Sequence, residues 1–258
     1  MQEQVNYNEI SKVYDARYSS SSLEGVNKYL GSLLSDKNPF YVLEAGCGTG
    51  HWLHELSKAA NTMTFGLDFS TGMLNRAKKL SPLLNLVNAD ANLLPFTIKS
   101  FDLIIVVNAI HHFIRPFDFI HEARNILKPG GTICIVGFDP RESKNDWYLY
   151  RYFESTYEKD LQRYPTFEDL KTEMQTAGFS NIRIDTVHKI DICKKGNEIL
   201  DDHFLDKKGA SQLALLSDKE YQKGIDKIKT DIDSATKENK EIIFETKITF
   251  RAITAKRS

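Results

Sequence analysis

The most informative run of residues is Val42-Leu43-Glu44-Ala45-Gly46-Cys47-Gly48-Thr49-Gly50, in which an apolar stretch leads through one acidic residue into three alternating glycines. A chain leaving the carboxyl end of a parallel strand must turn sharply and expose its backbone N–H groups, and a Cβ atom there would block a ligand. The pattern therefore predicts a strand, a glycine turn and a helix from about Thr49. A dinucleotide fingerprint would need a third glycine where this chain has His51. A pocket for a smaller, zwitterionic ligand is favoured over a diphosphate cradle.

Composition narrows the class of protein further. The chain has 258 residues, of which 41% are hydrophobic and 27% charged, enough for one large α/β domain with an appendage. The formal net charge of −1 and the lack of a dense Lys/Arg block argue against nucleic acid as a partner. A small or zwitterionic partner is expected instead.

Cysteine usage and the start of the chain predict the compartment. The three cysteines, Cys47, Cys134 and Cys193, fit neither a disulfide framework nor zinc spacing, so we expect free thiols in a reducing environment and no metal. The first ten residues lack the pattern of a secretory signal, and no apolar run approaches the length of a membrane span. The sequence predicts a cytoplasmic protein.

Apolar runs alternate with helical patterns, as expected of βαβ units that build a parallel sheet. A helix is predicted around 119–127, closed by the breakers Lys128-Pro129-Gly130-Gly131, and a second over 167–177 is opened at Thr166 and stopped by Gly178. The runs 101–107 and 132–138 are continuously apolar, which predicts central strands buried on both faces. The predicted strands are 41–46, 62–68, 85–89, 101–107, 132–138, 181–190 and 241–254.

Five segments, in this order along the chain, carry a more specific pattern than the glycine loop alone: 44–50, 66–74, 88–96, 101–112 and 127–131. Together they resemble the class I S-adenosylmethionine-dependent methyltransferases, in particular the small-molecule branch that includes quinone-biosynthesis enzymes. The glycine loop alone would be a weak signal, but the ordered set across 38–140 is specific. The resemblance implies an α/β, Rossmann-like sheet of seven strands in the order 3-2-1-4-5-7-6, with the last strand antiparallel and helices on both faces.

The resemblance also implies a cofactor, S-adenosylmethionine, with S-adenosylhomocysteine as product. Glu44 would engage the cofactor ammonium, Asp68 both ribose hydroxyls and Asp90 the adenine amino group. The other residues implied around the methionine and adenine moieties are Gly46, Cys47, Gly48, Gly50, Phe69, Met73, Ala91 and Asn108.

Structural interpretations of the same residues stay open at this point. Glu44 could be solvated at a strand end, Asp68 could cap the helix near Ser70, and Met73 could belong to the core. The thiols of Cys47 and Cys134 are expected to act as small core hydrophobes.

His111 and His112 follow the fourth strand, where the transferred methyl group would meet its acceptor. Either imidazole could serve as a general base toward a hydroxyl, amine or thiol. The alternative is that adjacent histidines cap or pack. Methyl transfer from a sulfonium is an in-line displacement on an activated donor, so positioning alone can suffice.

Segments outside the core are expected to select the acceptor. An N-terminal helical segment, 1–38, carries Tyr14 and Arg17, which either close over the cofactor or simply pack. Aromatic residues recur at helical spacing over 147–157 and are expected to be core that also walls the acceptor site.

The core is predicted over 39–190 and 241–258, with a helical cap over 191–240 between the last two strands. A capping box at Ser217 opens a helix there. The apolar stripe of that helix is expected to dock near the acceptor site or against a second copy of the chain, giving a homodimer.

Two other functions stay open from the sequence. An NAD(P)-dependent oxidoreductase is disfavoured by His51 and by the lack of a Tyr-x-x-x-Lys pair after the fifth strand. A catalytically silent cofactor-binding sensor or regulatory subunit is the other alternative.

Overall fold

The structure is a computed structural model that describes residues 23–37, 39–59 and 61–258. Its centre is a seven-stranded sheet in the order β3-β2-β1-β4-β5-β7-β6. The strands are β1 (Tyr41–Ala45), β2 (Met63–Asp68), β3 (Asn85–Asn88), β4 (Phe101–Val107), β5 (Leu127–Phe138), β6 (Phe179–Lys195) and β7 (Ile243–Arg257). β1 to β5 pair in parallel, whereas β7 is antiparallel to both β5 and β6. The predicted strand order and the antiparallel last strand are confirmed.

Helices cover both faces of the sheet. They are α1 (Glu24–Lys37), α2 (His51–Leu56), α3 (Thr71–Leu80), α4 (Pro116–Ile126), α5 (Tyr148–Tyr152), α6 (Ser155–Arg163), α7 (Phe167–Thr176), α8 (Ser211–Ala214) and α9 (Asp218–Lys237). Along β4, Leu103, Ile105 and Val107 pack into one hydrophobic layer, while Ile104 and Val106 pack into the other. β4 is therefore buried on both faces, as its continuous apolar run predicts.

Several predicted boundaries differ from the structure. The chain passes from α4 directly into β5 at Leu127, so Lys128-Pro129-Gly130-Gly131 lies within the strand instead of forming a separate stop. β6 extends to Lys195, because β7 supplies a pairing partner along its whole length. The helical part between the last two strands consequently begins at Gly196, not at 191.

The helix signals at α7 and α9 are confirmed by their caps. Thr166 and Asp169 form a reciprocal capping box at the start of α7, and Gly178 beyond its end has a φ of +85°. Ser217 and Glu220 form the same arrangement at the start of α9. Each box satisfies backbone N–H groups that the first helical turn leaves without partners.

The segment between β6 and β7 is part of the hydrophobic core. Ile228 and Ile232 of α9 are buried in the same layer as Phe153 and Phe244. The stripe therefore docks within its own chain, and these two isoleucines are not available to a second copy. In the part of the chain that the structure describes, no helix combines the length and hydrophobicity needed to cross a bilayer.

Candidate active site

The glycine loop after β1 lies against the segment that follows β4. Gly46 has a φ of +73°, and a Cβ atom there would stand 2.5 Å from Cβ of Ala109. Gly50 has a φ of +80°, and its Cβ would stand 2.8 Å from Cβ of Ala77. Both positions require glycine twice over, for the left-handed backbone and for the close approach. The loop thus brings the ends of β1 and β4 together.

Asp68, the last residue of β2, ties the glycine loop to the next helix. The backbone N–H of Gly48 donates to Oδ2 at 2.8 Å, and that of Ser70 donates to Oδ1 at 2.8 Å. Burial raises the pKa of Asp68, and these two N–H donors offset part of the rise. The cap of α3 is Ser70, whose Oγ accepts from the N–H of Met73, so the interpretation of Asp68 as helix cap is wrong.

Glu44, near the end of β1, carries a buried carboxyl group. Its side chain is 1% exposed, and among the described residues no hydrogen-bond partner reaches Oε2. Burial and the carboxylate of Asp68 hold the pKa of Glu44 well above its usual range, against the lowering effect of the Leu53 N–H. A buried carboxyl group with an unpartnered oxygen fits a ligand that brings a positive charge.

Cys47 lies beside these two acids, within the loop. Burial, Glu44 and Asp68 all raise the pKa of its thiol, so the group stays neutral and unreactive. Cys134 is fully buried in the core. The expectation that both thiols act as small hydrophobes is confirmed, and all three cysteines are free, with Cys193 exposed.

The residues predicted around the adenine follow β2 and β3. Oδ1 of Asp90 accepts from the N–H of Asn92 at 2.8 Å, and Ala91 is buried. Phe69 is 77% exposed, whereas Met73 is only 1% exposed and packs in the interior. The topology brings these residues to the same sheet edge as Asp68, with Phe69 available to an incoming ligand.

At the end of β4, Asn108 adopts a φ of +51° and donates its N–H to the carbonyl of Val136 at 2.9 Å. Its Oδ1 is buried, with no hydrogen-bond partner among the described residues. His111 and His112 follow in a short 3-10 helix, Ile110–His112, with ring centroids 3.9 Å apart. Ala109 and Phe113, which flank this short helix, are the residues that face Gly46 of the glycine loop.

Residues that sequence reasoning missed complete this region. The ring of Tyr164 stacks on His111 with centroids 3.8 Å apart and an interplanar angle of 11°. Phe138 lies 5.0 Å from Tyr164, and Nη1 of Arg163 lies 3.5 Å from Nδ1 of His112. Arg163 and Tyr164 stand at a polar helix end with no periodic apolar signal, so only the three-residue spacing from Asp160 to Arg163 hinted at them.

The remaining predicted residues lie in the N-terminal segment and in the aromatic run 147–157. Tyr14 and Arg17 lie outside the described residues. The aromatic run 147–157 forms two short helices, α5 and α6, in place of one. Trp147, Tyr150 and Phe153 are buried, which confirms their expected core role. In the described ranges, no group of three or more His, Cys, Asp or Glu side chains is arranged to hold a metal ion.

Comparison with known proteins agrees with this geometry. Residues 43–135 match the family model of a methyltransferase domain. A demethylmenaquinone methyltransferase of Staphylococcus aureus is 29% identical over 210 residues, covering 70% of this chain and 87% of the relative.

Two solved structures share the fold. A candidate methyltransferase from an antibiotic biosynthesis pathway of Anabaena variabilis superposes with a TM-score of 0.65 at 20% identity, covering 88% of this chain and 96% of that one. The phosphoethanolamine N-methyltransferase 2 of Haemonchus contortus, in complex with S-adenosylhomocysteine, gives a TM-score of 0.60 at 19% identity, covering 97% and 57%.

The strand order, the glycine loop and the acids at the strand ends are those of the class I methyltransferase fold. Within this fold residues 43–135 form a methyltransferase domain, and the chain is an enzyme of the methyltransferase type.

Proposed function

We propose that this enzyme transfers the methyl group of S-adenosylmethionine to a small-molecule acceptor that carries an aromatic ring. The observation that carries the proposal is the aromatic layer at the carboxyl ends of β4 and β5, in which His111 stacks on Tyr164 and Phe138 contacts the same tyrosine ring. Flat rings of this kind offer a planar acceptor stacking partners. The Staphylococcus aureus relative is a demethylmenaquinone methyltransferase, which supports an acceptor of this chemical class.

The chain's own acids and loop would hold the cofactor. In this proposal Glu44 balances the positive charge at the methionine end, because its buried Oε2 has no described partner. Asp68 accepts from the ribose hydroxyls with lone pairs that the N–H groups of Gly48 and Ser70 leave available. The edge where Asp90, Ala91 and Phe69 stand receives the adenine. The remaining contacts assigned to this site come from Gly46, Cys47, Gly50, Met73 and Asn108, and from Tyr14 and Arg17 outside the described residues.

Bound S-adenosylmethionine supplies a methyl group already activated by its sulfonium, for in-line displacement. The protein then has to hold the acceptor on the far side of that methyl group and keep water away. His111 is 7% exposed and Tyr164 is 5% exposed, so this part of the site is shielded from solvent. His111 and His112 are the residues proposed to contact the acceptor.

The test is a transfer assay with methyl-labelled S-adenosylmethionine. The acceptor panel would contain short-chain naphthoquinols, simple phenols and non-aromatic amines. We expect label on the aromatic acceptors, and none with any acceptor when His111→Ala and His112→Ala are combined. Label on non-aromatic amines alone would overturn the proposed acceptor class. Cofactor binding without transfer to any panel member would favour the silent cofactor-binding alternative.

A further inference from the structure

A buried ion pair lies directly behind the two histidines. Asp160 is 0% exposed, and its Oδ1 accepts from Nη2 of Arg163 at 2.7 Å and from Nε at 2.9 Å. Its Oδ2 accepts from the hydroxyl of Tyr150 at 2.7 Å and from Nε2 of Gln212 at 2.9 Å. Both oxygens of this buried carboxylate are thus engaged, which a buried charge requires for stability.

The segment between β6 and β7 completes the pair. Nη2 of Arg163 also donates to Oγ of Ser211 at 2.9 Å, and Gln212 reaches the hydroxyl of Tyr164 at 3.3 Å. Ser211 and Gln212 both belong to α8, and both are buried. The guanidinium group is therefore fixed from two sides, by α6 and by α8.

The third nitrogen of this guanidinium faces a histidine. Nη1 of Arg163 lies 3.5 Å from Nδ1 of His112, at the long end of hydrogen-bond distance. Arginine has five donors and no acceptor, so a ring nitrogen that bonds to it must present its lone pair. In a neutral imidazole the proton then sits on the other nitrogen, Nε2.

We propose that Asp160 and Arg163 are positioning residues that fix His112 in the tautomer protonated on Nε2. The consequence for catalysis rests on the proposed function. An Nε2–H group donates a hydrogen bond to an acceptor oxygen or nitrogen and cannot take its proton. His112 then orients the acceptor, and the general-base role predicted for it from the sequence does not apply to this tautomer.

Histidine side-chain NMR tests the tautomer without cofactor or acceptor. Protein with 15N-labelled imidazoles would be measured at about pH 8, above the ordinary histidine pKa of about 6.5. We expect His112, assigned with His112→Gln, to show a protonated Nε2 and an unprotonated Nδ1. The variant D160N/R163M should lose this single pattern and give averaged shifts for both nitrogens.

The double variant avoids a buried unpaired charge, because it removes both members of the ion pair together. The amide oxygen introduced at position 160 can still accept from the hydroxyl of Tyr150, and the thioether chain introduced at position 163 fills the volume of the arginine stem. Arg115→Met is the matched control, since Arg115 and Asp118 form the same three-residue pair at an exposed position.

Two results would overturn the proposal. One is a proton on Nδ1 of His112 in the wild-type protein, which needs no variant to fold. The other is an unchanged tautomer in D160N/R163M, measured against His121, which pairs with Glu173 and serves as an internal reference whose signals should not change. A protein that shows the expected tautomer but transfers no methyl group would instead contradict the proposed function alone.

Discussion

Among single residues, Asp68 is assigned two sets of hydrogen bonds, both accepted by the same carboxylate. It accepts backbone N–H groups from Gly48 and Ser70, which holds the glycine loop in place. In the proposed function it also accepts from the cofactor ribose. A carboxylate has about four lone-pair sites, so both tasks are compatible.

Replacing Asp68 by Asn should weaken S-adenosylhomocysteine binding by about 1.5–3 kcal/mol, roughly 10–150-fold, because charge-assisted hydrogen bonds are lost. Isothermal titration calorimetry would measure the change. Asp102→Asn is the control, because Asp102 pairs with Lys128 near the amino end of β4, away from Asp68 at the carboxyl end of β2. This variant should keep the affinity within about twofold of the wild type. Wild-type affinity in the Asp68 variant would show that this residue only holds the loop.

Glu44 should make the cofactor-free protein less stable as the pH rises. Below the ordinary glutamic acid pKa of about 4.3 the group is neutral in both folded and unfolded chains and contributes nothing. Because burial and Asp68 raise its folded pKa, the folded state holds a proton that the unfolded state releases above that ordinary value. Stability is therefore lost as the pH rises toward the folded pKa.

Glu44→Gln should consequently be more stable than the wild type at about pH 8, and the two should converge near about pH 4. Urea denaturation across this range measures the difference, with the exposed Glu158→Gln as a control that shifts at neither pH. A wild-type protein that is as stable as Glu44→Gln, or more stable than it, at about pH 8 would contradict the prediction. The variant should also bind the cofactor more weakly, so stability and function oppose each other at this residue.

Among the elements, α9 packs against the aromatic helix α5 and the turn that follows it. A Cβ atom at Gly224 would overlap the ring of Phe153, which is itself buried. The helix can approach this ring only where it has no side chain. The segment between β6 and β7 is thus fitted to the core, and its removal would expose apolar surface.

Gly224→Ala should lower the free energy of unfolding, because overpacking costs about 1–3 kcal/mol and the gain in helix propensity returns about 1 kcal/mol at most. Gly31→Ala in α1 is the matched control. No atom of the described residues lies within 4 Å of its added Cβ, so it should gain roughly 0.5–1 kcal/mol. Chemical denaturation of both variants gives the comparison, and a stabilised Gly224 variant would show that α9 packs loosely.

In the molecule as a whole, the carboxyl ends of β1, β2 and β4 meet in one crevice, which is where open α/β sheets bind ligands. The loop there has glycines at 46, 48 and 50 and carries His51 in place of a third dinucleotide glycine. We therefore expect S-adenosylhomocysteine, but not NAD(H), to bind in this crevice and stabilise the folded protein.

S-adenosylhomocysteine at about 100 times its dissociation constant should stabilise the protein by roughly 2.7 kcal/mol and raise its melting temperature. NAD(H) at the same concentration should leave the melting temperature unchanged. A differential scanning fluorimetry series measures both ligands on the same sample. A rise with NAD(H) and none with S-adenosylhomocysteine would contradict the cofactor assignment.

Local sequence patterns were sufficient to predict the sheet, the glycine loop and the acids at the strand ends. Each of these depends on features of neighbouring residues, such as continuous apolar runs or glycines at fixed spacing. Parallel topology then places consecutive strand ends at one edge, so Glu44, Asp68 and Asn108 come together without any knowledge of packing.

The surroundings of His111 and His112, by contrast, could be learned only from the packed chain. Arg163 is 51 residues from His112, and Ser211 is 48 residues from Arg163. Contacts across such separations depend on how helices fill the space above the sheet, and no periodic pattern records them. The same holds for the apolar stripe of α9. Its amphipathic spacing predicted a buried face, but only the folded protein showed that this face belongs to the same hydrophobic layer as Phe153 and Phe244.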